Sequence, residues 1–373
     1  MRNPRPAFTI VELLIVVAII ALLIAILLPA ITKARDSALT TQSSGNMRNL
    51  AAALGSYGAD WSDRQWTPTP DDIGMFGGGT PAANCGAYLS QVCPPQQIAG
   101  WDATGGLWGF WLGGGVCPGG YPGGCGNWGI YWPCSWNLIN GYDGNFGAWR
   151  LINYKSFHDY VNGRYYDKIY WAPKDRYNLE RAAPGLQYAG EFIAPSAVGG
   201  TSVRSTYVVS PAAMWAPDVL ARETGYRNPL LMAGSFRSPT VGQSAFPDLK
   251  TRCIEMYWLQ NQDGGPLNSH YTPDEPWRFN QGSNSAPVTM FFDGHIQLLP
   301  CTRAMASDDR IKAQQASTTF VEKGLWVRNS PLGAQGWEGQ VDRVYDEEIA
   351  SKPTSFHVIT TDGILGRDLT GDR

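Results

Sequence analysis

The sequence is short of charge and of histidine. Lys, Arg, Asp and Glu make up 16% of its 373 residues, and the net charge is −3 with a pI of about 5.8. Without a basic field, no nucleic-acid partner is expected. The four histidines are His158, His270, His295 and His357, and none stands in an H-E-x-x-H or other zinc spacing. The seven cysteines include no C-x-x-C pair, which argues against structural zinc. No G-x-S-x-G elbow occurs. Gly124, Gly126 and Gly129 do spell G-x-G-x-x-G, but in a Gly-rich stretch with no helical pattern after it, so no nucleotide site is read there. These gaps leave no persuasive catalytic constellation, and the expectation is a protein that is not an enzyme and holds no cofactor.

Disorder is excluded from the other side. Low charge accompanies 15 Trp, 17 Tyr and 13 Phe, ample apolar surface to bury. The 43 Gly and 26 Pro argue for long loops and short strands rather than a helical bundle.

One apolar run dominates what is present, within "AFTIVELLIVVAIIALLIAILLPAITKARD". Every residue from Leu13 to Leu28 is apolar, and Phe8 to Ile31 is long enough to cross a hydrocarbon core as a helix. Arg2 and Arg5 precede it without an acid, so this end stays in the cytoplasm and the remaining chain is exported. The run is long for the apolar part of a secretory signal, and no small-x-small site follows it directly. The helix is expected to continue to about residue 60, since Met47, Leu50, Ala51, Leu54 and Tyr57 recur at helical spacing. Glu12, at the mouth of the span, requires a partner, because a carboxylate beside hydrocarbon costs on the order of 1–3 kcal/mol. A cut after Ala7 would place a new amine on Phe8, at the i, i+4 distance from Glu12.

These residues carry a family resemblance. "AFTIVELLIVVAIIALLIAILLPAI" resembles the N-terminus of type IV pilins and type II secretion pseudopilins, whose prepilin peptidase cuts before a Phe and whose fifth mature residue is a Glu. Phe8, Thr9, Glu12 and Pro29 match that pattern, while Ala7 stands where the family has Gly. The resemblance implies processing at Ala7–Phe8, N-methylation, and assembly through Phe8 and Glu12, the amine of one subunit meeting the Glu12 of its neighbour. "HDYVNGRYYDKIYWAPKD", "STYVVSPAAM" and the final "DGILGRDLTGD" look like fragments of large pilin-like proteins. "VTMFFDGHIQLLP" resembles the family's late DG hairpin. On physics alone, its two apolar runs around Asp293-Gly294 read as strands joined by a type I′ turn.

Between Gly74 and Trp149 no period survives, and the stretch is read as a loop-rich insertion. Outside the cytoplasm its cysteines would form disulfides, with Cys85, Cys93, Cys117, Cys125 and Cys134 as candidates and Cys253 and Cys301 as a later pair. Asp362, Asp368 and Asp372 offer weak calcium ligands, but without D-x-D-x-D-G spacing solvated turn residues are the better reading.

The expected fold is α+β: a long N-terminal helix, its first half transmembrane, packed on an antiparallel sheet. The expected organisation is a leader over 1–7, the helix over 8–60 with the span at 8–31, and an extracytoplasmic head over 61–373 with the insertion at about 74–149. The expected function is that of a structural filament subunit. Two other readings stay open: a minor pilin or tip adhesin binding a glycan or surface through the Trp-rich head, and a pseudopilin driving protein export. Expected partners are copies of itself or other pilins, prepilin peptidase, an inner-membrane assembly platform, and membrane lipid before assembly. The expected location is the bacterial inner membrane, then a surface or periplasm-spanning filament.

Overall fold

The computed structural model describes residues 9–66, strands at 97–101, 107–112 and 125–131, residues 155–186 and 205–255 with short omissions, 286–327 and 360–371. Helix α1 (Ile10–Asp60) runs without a break for 51 residues, roughly 77 Å at 1.5 Å per residue. Pro29 lies inside it. Proline removes one ladder hydrogen bond there.

The two halves of α1 differ in what they touch. Side chains from Ile10 to Ile31 are exposed throughout. From Ser43 onward one face is covered: Met47, Leu50, Ala53, Leu54 and Gly58 are buried at helical spacing. That face lies on the head's main core, with Trp66, Phe157, Val161, Tyr170 and Trp171. The sequence stripe therefore corresponds to the seat, with Ala51 and Tyr57 at its half-buried margin. Burying each large apolar side chain contributes about 1.5–3 kcal/mol, so the seat is held mainly by the hydrophobic effect.

The head's sheet is antiparallel and four-stranded, in the order β4 (Tyr207–Val209), β5 (Thr251–Glu255), β6 (Val288–Phe291), β7 (Ile296–Leu298). Every residue of β5 and β6 is buried. A strand covered on both faces needs no polar alternation; β5 buries Arg252 and Glu255 along with its apolar residues. With α1 packed against β6 and β7, the class is α+β, as the residue pattern implies.

β6 and β7 form the hairpin expected at Asp293-Gly294, but not with the expected turn. Gly294 alone has positive φ (86°), whereas a type I′ turn needs it at both central residues. The Gly294 amide donates to the Phe291 carbonyl (3.0 Å), and the Phe291 amide donates to the His295 carbonyl (3.0 Å). This is a three-residue loop closed by a left-handed glycine. The extra residue follows from register: Met290 pairs with Ile296, which leaves five residues between them.

The stretch read as loops contains strands. β1 (Gln97–Trp101) pairs antiparallel with β2 (Leu107–Leu112), which pairs parallel with β3 (Cys125–Tyr131). Their aromatic and β-branched content suits strands even where alternation fails. Beyond the sheets, α2 (Lys155–His158) is a single turn, and α3 (Cys301–Gln314) follows β7.

Candidate functional site

The helix and its seat carry the functional geometry, beginning at its first turn. Thr9 is the N-cap of α1: its hydroxyl accepts from the Glu12 amide (3.2 Å). In return the Thr9 amide and hydroxyl donate to Glu12 Oε2 at 2.9 and 2.7 Å. Glu12 therefore has a local role that the sequence reading missed, a capping box of the T-x-x-E type, which was legible in the motif itself. Both bonds fall on Oε2. Ala7 and Phe8 lie outside the described residues.

Above the cap, Ile10–Ile31 presents apolar side chains around the whole circumference. α1 is, among the described residues, the one helix long and apolar enough to cross a membrane. Its bare part measures about 33 Å, close to the hydrocarbon thickness of about 30 Å.

Past the span, the helix hydroxyls split into two kinds. Thr32, Thr40, Thr41, Ser44 and Ser56 donate back to carbonyls four residues earlier, as hydroxyls in helices commonly do. Ser43 turns outward instead. It donates to Glu255 Oε1 (2.7 Å) and lies 2.9 Å from the Tyr207 hydroxyl. One turn on, Asn46 Nδ2 donates to the Trp171 carbonyl (3.0 Å). Lys174 pairs with Asp36 Oδ1 at 2.6 Å, tying the head to α1 below the seat. Glu255 and Ser43 are both buried. Burial pushes the Glu255 carboxyl up to about 7, against the Ser43 and Val288 hydrogen bonds that favour its charged form. Burial likewise raises the Tyr207 hydroxyl well above its ordinary value. Sequence reasoning had no signal for this joint, since Ser43 lies 164 residues from Tyr207 and 212 from Glu255.

Asp362 and Asp368, two of the late aspartates, are engaged within the protein. Asp368 is buried and accepts from Lys250 Nζ (3.0 Å), the Thr251 amide (2.6 Å) and the Thr251 hydroxyl. Asp362 accepts from the Arg222 amide (2.8 Å) and Arg222 Nε (3.2 Å). Each carboxylate already has a side-chain cation, and an ammonium in contact with Asp368 opposes a second one. Asp368 is buried rather than solvated, while the Asp362 side chain stays about one-third exposed. Asp372 lies outside the described residues.

Cys253 corrects the proposed later disulfide. It is a free thiol, buried in β5, and burial pushes it up to about 12. Cys85, Cys93, Cys117 and Cys134 lie outside the described residues, and Cys125 and Cys301 are placed in β3 and α3 by their backbone alone. His158 is buried beside Asp159, and His295 stacks on Phe291 with centroids 4.2 Å apart. His270 and His357 lie outside the described residues. Among the described residues no cluster of three His, Cys, Asp or Glu could hold a metal.

With this geometry in view, the comparisons are informative at one end. Residues 2–28 match the prokaryotic N-terminal methylation motif, the hallmark of type IV pilins and pseudopilins. No curated protein and no solved structure matches the chain. The motif implies a pilin-like precursor processed by prepilin peptidase and anchored in a membrane by α1.

Proposed function

We propose that this chain is a structural subunit of a type IV pilus-like or pseudopilus filament, cut between Ala7 and Phe8 and assembled by lateral packing of its N-terminal helices. The supporting observation is the division of α1. One half is seated on the head, and the other is bare around its circumference. A bare apolar helix is stable in lipid or against copies of itself, and leaving one for the other exchanges one apolar surrounding for another. Under this reading residues 1–7 are a leader, 8–60 the assembly helix, and 61–373 an extracytoplasmic head.

The capping box gives Glu12 two tasks. Oε2 is held by Thr9 and fixes the first turn of the helix. Oε1 remains for the amine that cleavage would create on the Phe8 of an adjacent subunit. Such a pair sets register more reliably than it adds stability.

The test is mass spectrometry of the N-terminal peptide from membrane and sheared surface fractions, for wild type and Glu12→Ala. The expected result is a mature chain starting at N-methylated Phe8, with only wild type in the sheared fraction. An uncut chain held in the membrane would make α1 a plain anchor and end the filament reading.

A further inference from the structure

Glu255 is a buried acid with no cation in contact among the described residues. Its carboxyl is sealed between α1 and β6: Ser43 donates to Oε1 at 2.7 Å and the Val288 amide to Oε2 at 3.2 Å. Both donors are neutral. Among the described residues the charged and titratable groups around it are few. Lys174 and Asp175 act on it from the segment after the Lys168–Tyr170 turn, Tyr207 faces it from β4, and Cys253 precedes it on β5. α1 contributes Ser43 and Asn46, both uncharged, and Lys174 is engaged by Asp36. A carboxylate has about four acceptor sites, and two neutral donors leave its charge poorly solvated. Protonation removes that charge while Ser43 and the Val288 amide can still donate to the carboxyl.

We propose that Glu255 is a proton-operated lock on the joint between α1 and the head. With its proton on, the carboxyl ends the Tyr207–Ser43–Glu255 chain without a buried charge and the helix is seated. With the proton released, a buried anion lies under Ser43, and the stretch from Ser43 to Gly58 loosens from the sheet. The direction follows from linkage. The folded protein holds this proton more tightly than the unfolded chain, whose Glu titrates near about 4.3. The stabilisation is therefore full below that pH and is lost as pH rises through about 7. Acid conditions stiffen the joint and mildly alkaline ones soften it. This device stands whether or not the chain builds a filament.

The experiment uses the full chain in detergent micelles. The infrared band of the protonated carboxyl is followed from about pH 5 to about pH 8, with hydrogen exchange of residues 44–58 corrected for the intrinsic rate at each pH. In wild type the band should vanish with a midpoint near 7, and protection should fall alongside it. In Glu255→Gln the band is absent and protection stays constant across the range. Ser43→Ala removes a bond that favours the anion, so its midpoint should move to higher pH. Asp175→Asn should move it lower. Titration of the wild-type band in the ordinary carboxylate range would overturn the proposal, as would unchanged pH dependence in Glu255→Gln. If Glu255→Gln does not fold, Ser43→Ala decides, and an unmoved midpoint overturns it.

Discussion

Lys250 and Asp368 meet as an ion pair in which neither side chain has any exposed surface, with Nζ 3.0 Å from Oδ1. They stand 118 residues apart. Asp368 also accepts from the Thr251 amide and hydroxyl, and Lys250 from its other side reaches Thr360. The pair fastens the 360–371 segment to the start of β5. Burial alone would drive the Lys250 ammonium toward neutrality, and the Asp368 charge opposes this.

Breaking one member should cost far more than replacing both. Lys250→Met leaves a buried carboxylate without its cation, with an expected loss of about 3–5 kcal/mol. Asp368→Leu strands the ammonium, with a similar loss. The double variant Lys250→Met/Asp368→Leu should recover most of this, because two apolar groups need no partners. Urea unfolding of the four proteins measures the coupling. Additive losses would refute it.

Substitutions along α1 should separate by position. Leu50→Ala removes a fully buried side chain from the seat and should lower head stability by about 2–5 kcal/mol. Leu23→Ala, on the bare half, should leave head stability unchanged within about 0.5 kcal/mol. Under the proposed function it should lower filament yield instead. Thermal unfolding in detergent and recovery from sheared fractions provide the two readouts.

Two glycines should respond differently to alanine. At Gly294 φ is +86° and a Cβ would meet nothing within 4 Å, so the cost is backbone strain alone, about 1–2 kcal/mol. At Gly366 φ is an ordinary −86°, yet a Cβ would lie 1.9 Å from the Thr361 carbonyl oxygen. Backbone cannot yield as a side chain does, so Gly366→Ala should displace the 360–371 segment. Limited proteolysis should cut Gly366→Ala near that segment and leave Gly294→Ala intact there.

The Cys253 thiol should be inert in the folded protein. Thiolate is the reactive form, and with the thiol raised to about 12 little of it exists at neutral pH. Alkylation followed by peptide mapping should show Cys253 modified only under unfolding conditions. Rapid labelling of the native protein at neutral pH would contradict its burial.

Sequence legibility tracked how far apart the interacting residues lie. Met47, Leu50 and Leu54 announced the seated face because helical spacing is a local pattern. Asp293-Gly294 announced a hairpin for the same reason. Its turn type was misread because the strands set the register, and Met290 pairs with Ile296 rather than with a nearer residue. The capping box was visible in Thr9 and Glu12 and was overlooked in favour of an intersubunit partner. The partners of Asp368 and Glu255 were illegible, since an aspartate in "GRDLTGD" looks the same whether it faces water or Lys250. The strands at 97–131 escaped detection because Gly and Trp erase the alternation that marks a half-buried strand.

The eleven residues between the bare span and the seat, Thr32 to Gln42, amount to a spacer of about 16 Å along the helix axis. Lys33, Arg35 and Asp36 sit at its lower end, and Lys174 is the head's reach down to that level. Under the proposed function, a subunit held in lipid by Ile10–Ile31 would keep only about 6 Å of untied helix, Thr32 to Arg35, before the head's first tie at Asp36, so its depth in the membrane would be closely set.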